Sequence, residues 1–175
     1  MSGWIETSSG NRISRSAVIE GSERILLSGN TTVQDNVILK GSADITNDEA
    51  KTQAMIKIGK FCYLDKQCQI LSTTIGDSYG PVQIGAYTIV GERSVIDLAK
   101  IGSRVLIESD CMVGKMTEVY DCCRIRSGTT VAPYTTIPPY SEVCGTPGID
   151  FEIKPLHNCY KKLIEIEARQ RQILM

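Results

Sequence analysis

The amino-acid sequence predicts an all-β fold: a parallel β-helix of hexapeptide repeats, wound in about seven triangular coils and followed by a C-terminal α-helix. Three observations predict this architecture. An Ile or Val recurs every six residues, a small residue stands two positions before it, and the spacing becomes helical after Gly148. We therefore predict a β-helix domain over residues 1–148, with loops near 46–55 and 72–83, and an amphipathic helix over 149–175.

The six-residue repeat is most regular in the second half of the chain. Steps of six, with a single step of five, reach eleven consecutive Ile or Val residues: Ile84, Val90, Ile96, Ile101, Ile107, Val113, Val119, Ile125, Val131, Ile137 and Val143. Earlier rungs are Leu27, Val33, Leu39, Ile45, Ile58, Leu64 and Ile70. An α-helix repeats its faces near 3.6 residues and a strand near 2, so six residues fit a short strand and a bend. Three such units close a triangular coil, and we call its inward apolar residues the plugs.

Small side chains stand two positions before most plugs, a spacing that keeps both on one face of a strand. These small residues are Cys62, Cys68, Thr88, Ser94, Cys111, Thr117, Cys123, Thr129, Thr135 and Ser141. Each is predicted to point inward beside its plug. Stacking of successive coils through parallel main-chain hydrogen bonds would then fill the interior with side chains.

Cys122 and Cys123 form an adjacent pair in a chain that has seven cysteines and one histidine. The pair fits a metal site, a redox site or packing. Packing is favoured because Cys123 falls on a small inward position and cysteine is among the most buried residue types. Cys122, its neighbour, is predicted to point outward, and the sequence contains no C-x-x-C zinc motif.

Composition indicates one soluble domain. The chain has 175 residues and a formal net charge of −1, and its charges of both signs are scattered, which argues against nucleic-acid binding. No apolar run approaches the ~20 residues of a membrane span, and the first residues lack a basic stretch followed by an apolar one. An odd number of cysteines fits a reducing compartment, so we predict a cytoplasmic protein without membrane insertion.

Two segments interrupt the repeat. "TNDEAKTQAM" (46–55) is interpreted as a solvated loop, whereas "STTIGDSYGPVQ" (72–83) carries an aromatic residue between glycines, the kind of anchor that interfaces use. The candidate partner-binding residues are Asp77, Tyr79 and Pro81 in this second loop, with Tyr134 and Tyr140 in the proline-rich segment that closes the last coils.

The C-terminal segment has apolar residues at helical spacing: Leu156, Cys159, Tyr160, Leu163, Ile166 and Ile173. Pro155 suits a first helical position. We expect the apolar stripe to lie along one face of the prism. The alternative is a groove on a partner.

Two enzyme classes use such a prism, and both depend on histidine. Hexapeptide acyltransferases use one as a general base, and gamma-class carbonic anhydrases bind zinc through three. This chain has only His157, outside the coils, and Ser42 stands where the carbonic anhydrase pattern has an aspartate. We predict no catalytic, metal-binding or cofactor-binding residues, with an enzyme of either class as the alternative.

The stretches "IETSSGNRISRSAVIEGSERILLSGNTTVQDNVILKG" and "YDCCRIRSGTTVAPYTTIPPYSEVCGTPG" resemble the dynactin subunit 5 family. The resemblance covers about residues 4–148 and implies a left-handed β-helix. It also implies a non-catalytic subunit of the dynactin pointed-end complex, associated with the cytoskeleton. The implied partners are a second β-helical subunit, an actin-related protein, a larger pointed-end subunit and dynein cargo adaptors.

The two loops depart from the family pattern, which bears on the adaptor contacts more than on the fold. Solenoid ends carry strand edges that must be covered, so we expect one end of this chain to stack against, or lie beside, a second β-helix. A solitary homotrimer is a further possibility that the sequence leaves open.

Overall fold

A computed structural model describes residues 3–41, 53–73 and 80–174. Its strands form three sheets around a central axis. Sheet 1 contains β1 (Trp4–Glu6), β2 (Arg12–Ser14), β5 (Thr32–Val33), β8 (Tyr63–Leu64), β11 (Ile89–Val90), β14 (Leu106–Ile107), β17 (Arg124–Ile125), β20 (Ser141–Cys144) and β21 (Glu152–Pro155). Sheet 2 contains β3 (Val18–Glu20), β6 (Ile38–Lys40), β9 (Gln69–Leu71), β12 (Val95–Asp97), β15 (Met112–Val113) and β18 (Thr130–Val131). Sheet 3 contains β4 (Ile25–Leu27), β7 (Ile56–Ile58), β10 (Val82–Ile84), β13 (Lys100–Ile101), β16 (Glu118–Val119) and β19 (Thr136–Ile137).

Successive strands visit the three sheets in turn, so each set of three makes one coil. The described strands make six complete coils, and β20 begins a seventh, in agreement with the prediction of about seven. Each coil pairs in parallel with the next, as where Ile96 lies between Ile70 and Val113. Most of both predicted loops, with Ile45, Asp77 and Tyr79, lies outside the described residues.

The predicted plugs form the core. Every described plug from Val33 to Val143 is at most 3% exposed, and these side chains belong to one continuous apolar cluster. Burial of each plug contributes roughly 1.5–3 kcal/mol relative to exposure, which explains why an apolar residue occupies every described plug position. The prism is therefore solid.

The small inward residues do more than fill space, because many of them donate a hydrogen bond to a main-chain carbonyl in the next coil. The Thr88 hydroxyl donates to Gly102 O at 2.9 Å, and the Ser94 hydroxyl donates to Glu108 O at 2.7 Å. The Cys123 thiol donates to Pro138 O at 3.1 Å. Ser, Thr and Cys are interchangeable here because each combines small volume with a donor.

The packing interpretation of Cys123 is confirmed, since its side chain is fully buried and all seven cysteines are free thiols. The predicted outward direction of Cys122 is wrong. Strand β17 begins only at Arg124, and Cys122 occupies the preceding corner with φ 60°, where its side chain is 3% exposed. The corner turns the thiol under the Tyr140 side chain, and a hydrogen bond between the two raises the pKa of Tyr140.

The corners have a repeating backbone conformation. We call the corner that precedes each sheet 1 strand the first corner. The corner that precedes each sheet 2 strand is the second corner, and the corner that precedes each sheet 3 strand is the third corner. Thirteen described non-glycine residues have positive φ there: Asn30, Phe61, Tyr87, Arg104, Cys122 and Tyr140 at the first corner, Asn36, Gln67, Arg93 and Asp110 at the second, and Leu98, Met116 and Tyr134 at the third. This left-handed conformation favours Gly and Asn, so bulky residues there carry strain.

The two ends of the prism are closed differently. At the start, β1 pairs antiparallel with β2 in sheet 1. At the other end, β21 pairs antiparallel with β20, and Phe151 packs against the core cluster while Leu156 is buried. Pro155 is therefore the last residue of strand β21 and not the first residue of a helix. The chain after Gly148 adds this strand to sheet 1 before the helix begins.

The single described α-helix, α1 (Tyr160–Ile173), lies on the outer face of sheet 1, as expected for one prism face. Its first residue, Tyr160, lies beside Arg124 of β17, and Gln172 near its end accepts a hydrogen bond from the Thr32 hydroxyl of β5. The helix therefore runs back along the prism toward the first coils. Ala168 packs on Tyr63 and Ile89. The fourteen residues span about 21 Å at 1.5 Å each, close to the ~19 Å rise of four coils.

The predicted apolar stripe of this helix is wrong in part. Ile164 and Ala168 are its buried residues, whereas Leu163, Ile166 and Ile173 are exposed. Leu156 is buried but precedes the helix. The residues of α1 that contact sheet 1 recur every four positions from Tyr160, and polar side chains lie at the edges of this stripe. The apolar pattern alone therefore did not identify the buried face of the helix.

Candidate functional site

An apolar ladder runs along the third corner. Pro81, Leu98, Met116 and Tyr134 each stand three residues before a plug, in four consecutive coils. Adjacent coils are ~4.8 Å apart, so the four side chains form a row of roughly 14 Å. We call these four residues the corner ladder.

Folding alone does not explain two of the ladder residues, Met116 and Tyr134. Leu98 is buried, but Met116 is 48% exposed and Tyr134 is 69% exposed, and both occupy the left-handed conformation. An exposed residue in that conformation is expected to be Asn or Gly. Exposed bulky apolar residues in this strained conformation make the ladder a candidate contact surface.

The first corner provides the contrast, because its bulky residues have partners within the chain. Phe61 and Tyr87 stack with ring centroids 5.1 Å apart. The Arg169 guanidinium from α1 lies over both rings, at 5.3 and 5.2 Å, and donates a hydrogen bond to the Tyr87 hydroxyl. Arg104 pairs with Glu165 of α1 at 3.0 Å. These contacts offset the strain and hold α1 in place.

A shallow cleft of about 270 Å³ opens beside the ladder. Pro81, Leu98 and Met116 form its apolar wall. Lys100 and Glu118 line its other side, and their charged atoms are 3.5 Å apart on the outer face of sheet 3. An apolar wall beside a charged rim is the arrangement found in protein–protein interfaces.

The structure brings together some of the predicted partner-binding residues. Pro81 and Tyr134 share the corner ladder, whereas Tyr140 lies at the first corner, where its carbonyl accepts the Leu156 N–H at 2.7 Å. Asp77 and Tyr79 lie outside the described residues. Sequence reasoning missed Leu98 and Met116, although both were detectable as large apolar residues three positions before a plug.

Two of the buried thiols have raised pKa values. Burial raises the pKa of Cys62 to about 12 and that of Cys123 to about 11, because the thiolate would lose its hydration. The His157 ring nitrogen Nδ1 accepts the N–H of Cys159 at 3.2 Å, a contact within one turn. Over residues 3–41, 53–73 and 80–174, no helix is both long and apolar enough to cross a membrane.

Three sheets of mainly parallel strands and a six-residue plug period define the class of this protein, a β-helix of hexapeptide repeats, and its structural neighbours give the left-handed form of that fold. Solved structures agree. A hexapeptide transferase family protein from Anaplasma phagocytophilum has a TM-score of 0.61 at 12% identity, covering 97% of this chain and 93% of that one. A mutant perosamine N-acetyltransferase from Caulobacter crescentus scores 0.58 at 18% identity, covering 82% and 56%. At these identities the likeness concerns the fold alone.

The particular family follows from sequence comparison. The model of the family Dynactin subunit 5 matches residues 1–172, and the chain belongs to this family. Dynactin subunit 5 of Dictyostelium discoideum is 33% identical over 104 residues, which cover 57% of this chain. The matched region spans about half of that relative, 48% of its length. This membership supports a dynactin subunit.

Proposed function

We propose that the chain is a non-catalytic structural subunit of the dynactin pointed-end complex. In this role it pairs with a second β-helical subunit, contacts an actin-related protein and a larger subunit, and helps to dock dynein cargo adaptors for microtubule-based transport. Its place is the cytoplasm, in association with the cytoskeleton. The proposal rests on family membership for the complex and on the corner ladder for the docking.

One observation carries the docking role. The prism interior is filled by plugs, so binding falls to the outer surface, and the corner ladder is where apolar side chains are exposed against backbone strain. Met116 and Tyr134 offer the aromatic and thioether groups that are enriched in interfaces. The likeness to transferases at 12% and 18% identity supports the shared fold and adds nothing for acyl transfer.

The experiment exchanges the ladder side chains for asparagine. Met116→Asn and Tyr134→Asn remove apolar contact but suit the left-handed backbone, so both variants are expected to fold at least as stably as the original chain. Dynactin reconstituted with each variant is tested for binding to a dynein cargo adaptor. We expect the double variant to bind at least tenfold more weakly.

Gln67→Asn is the matched control, because Gln67 is exposed and has the same backbone conformation at the second corner. It should leave adaptor binding unchanged. Equal adaptor affinity for the ladder variant and the control would refute the docking role. Failure of the unaltered chain to enter dynactin at all would refute membership in the complex.

A further inference from the structure

The face of α1 that points away from sheet 1 is apolar. Ile164 and Ala168 are the buried residues of this helix, and at about 100° per residue Ile166 lies almost opposite them. Three of the four Leu and Ile residues of α1 are exposed, and all three lie on this outward face: Leu163, Ile166 and Ile173. Leu174, directly after the helix, is exposed as well.

The outward residues have the spacing of a coiled-coil seam. From the exposed Cys159, steps of four, three, four and three residues reach Leu163, Ile166, Gln170 and Ile173. This alternation marks the a and d positions of a heptad, which keep one row of side chains against a second helix. A polar residue at a single a position, here Gln170, fixes the register of the two helices at a cost in stability. We call Leu163, Ile166, Gln170 and Ile173 the outer seam.

The outer seam fits a helix rather than a strand. Two helices that share the spacing of three and four residues stay in contact along their length, whereas the side chains of a strand recur every two residues. Charge gives a second property of the occupant. Lys162 flanks the seam on one side and Glu167 flanks it on the other. Such flanking charges pair with opposite charges on a facing helix, so the occupant carries an acidic residue near Lys162 and a basic one near Glu167.

The outer seam is too short to hold two free chains together. The fourteen residues of α1 make two heptads, about 21 Å in length. Coiled-coil seams are sustained over about three or four heptads, and stable interfaces bury at least ~1,200 Å² of surface. The occupant must therefore be held by further contacts elsewhere. A subunit that is already anchored in the same assembly meets this condition.

We propose that the outer seam docks an amphipathic α-helix of another resident subunit of dynactin, and that the two helices pack as a short coiled coil. Leu163, Ile166 and Ile173 supply the apolar contact, and Gln170 sets the register. The inference rests on the proposed function, in which the chain is a dynactin subunit. It assigns to α1 a docking surface that is separate from the corner ladder.

A membrane surface is the less suitable occupant. A basic amphipathic helix binds anionic lipid through its apolar face and its flanking positive charges. Here Glu167 stands beside the seam and repels anionic headgroups. The outward row also has its polar residue, Gln170, near the middle, where a lipid-facing stripe would be apolar throughout.

Cross-linking from the seam identifies the occupant. Ile166→p-benzoylphenylalanine puts a photoreactive side chain in the seam, and the altered chain is reconstituted into dynactin. After irradiation, mass spectrometry locates the cross-linked peptides. We expect one segment of another dynactin subunit, with apolar residues at steps of three and four. The same probe in place of Leu26, on the outer face of sheet 3, should not reach that segment.

Two leucines of nearly equal exposure provide matched variants. Leu163 in the seam is 53% exposed, and Leu26 on β4 is 54% exposed. In the chain that carries the probe at position 166, Leu163→Glu should lower the cross-link yield at least fivefold, and Leu26→Glu should change it less than twofold. Gln170→Leu extends the apolar row and should leave the yield at least as high. Equal melting temperatures of the free chains establish that each variant folds.

Several results would overturn the proposal and leave the dynactin role intact. These are no cross-link from position 166 in assembled dynactin, a cross-linked segment without the helical spacing, or equal yields for Leu163→Glu and Leu26→Glu. Cross-links that form only after a cargo adaptor is added would place the occupant outside dynactin and would also overturn it. Failure of the unaltered chain to enter dynactin would refute the proposed function, and this inference with it.

The free chain tests the two other occupants. A dimer in sedimentation equilibrium that Leu163→Glu dissociates would make a second copy the occupant. Binding to vesicles of phosphatidylcholine and phosphatidylserine that Leu163→Glu abolishes would make the occupant a membrane surface. We expect a monomer that does not bind these vesicles, and either of the other results would contradict the proposal.

Discussion

At the residue scale, the hexapeptide repeat encodes two side chains with different tasks. The plug supplies apolar volume, and the small residue two positions earlier supplies a hydrogen bond to the next coil. Plug periodicity could be predicted from sequence because it depends only on residue type and spacing. The hydrogen bonds donated by Thr88 and Cys123 could not be predicted in this way. Their acceptor carbonyls lie some fifteen residues further along the chain and come near only when the coils stack.

Thr88→Val tests the donor role. Valine keeps the shape and burial but leaves the Gly102 carbonyl without its donor, which should lower the free energy of unfolding by about 1–3 kcal/mol. Thr88→Ser should retain most of the stability. Thr136→Val, at an exposed outward position on β19, is the control and should have little effect in denaturant titration. Equal stability of Thr88→Val and the original chain would contradict the donor role.

The buried thiols predict a pH dependence. The pKa of Cys62 is raised to about 12 and that of Cys123 to about 11, while in the unfolded chain both titrate near 9.0. Above pH 9 the unfolded state loses these protons first, so the free energy of unfolding falls as pH rises toward about 11 and is unaffected by these groups below pH 9.

Cys123→Ser isolates one part of this effect, since the serine hydroxyl does not titrate in that range. Denaturant titrations under reducing conditions at about pH 8 and about pH 10.5 should show a smaller alkaline loss of stability for the variant than for the original chain. An identical alkaline loss in both proteins would mean that Cys123 titrates alike when folded and unfolded.

At the element scale, the strands could be located from the sequence but the helix could not be fully described. Strand positions follow the plugs. The sequence predicted that the helix starts earlier in the chain than it does, because Pro155 and Leu156 are residue types that suit the start of a helix. Strand β21 forms instead because β20 offers an edge for it, a contact between residues that local spacing does not encode. The buried face of α1 was missed because it contains the small residue Ala168 beside Ile164, with the polar Gln172 at its end, rather than a run of large apolar residues.

A charge at the centre of the helix contact tests this description. Ala168 is fully buried against Tyr63 and Ile89, so Ala168→Arg should lift α1 from sheet 1. Limited proteolysis should then release the C-terminal segment about tenfold faster, a change typical of a destabilisation of one to two kcal/mol. Gln170→Arg adds the same charge on an exposed position and should be cleaved at the original rate. Equal cleavage of the two variants would place the helix contact elsewhere.

At the scale of the whole molecule, the prism is asymmetric. Its C-terminal tail extends sheet 1 and packs on the outer face of that sheet, whereas the exposed residues of the corner ladder lie at the third corner. The sequence located part of the corner ladder, Pro81 and Tyr134, because proline and aromatic residues stand out in composition. Leu98 and Met116 could be found only by aligning the corners of successive coils.

Such asymmetry suits a subunit that occupies one fixed place in an assembly. We infer that this chain works through its outer surface as a component of dynactin.

Hydrogen exchange, read by mass spectrometry on the free chain and on the chain within purified dynactin, tests that claim most directly. We expect slower exchange in the complex than in the free chain for the third corner around Met116 and Tyr134, with little change for the second corner around Gln67. Unchanged exchange at the third corner, with the chain present in the complex, would contradict the claim.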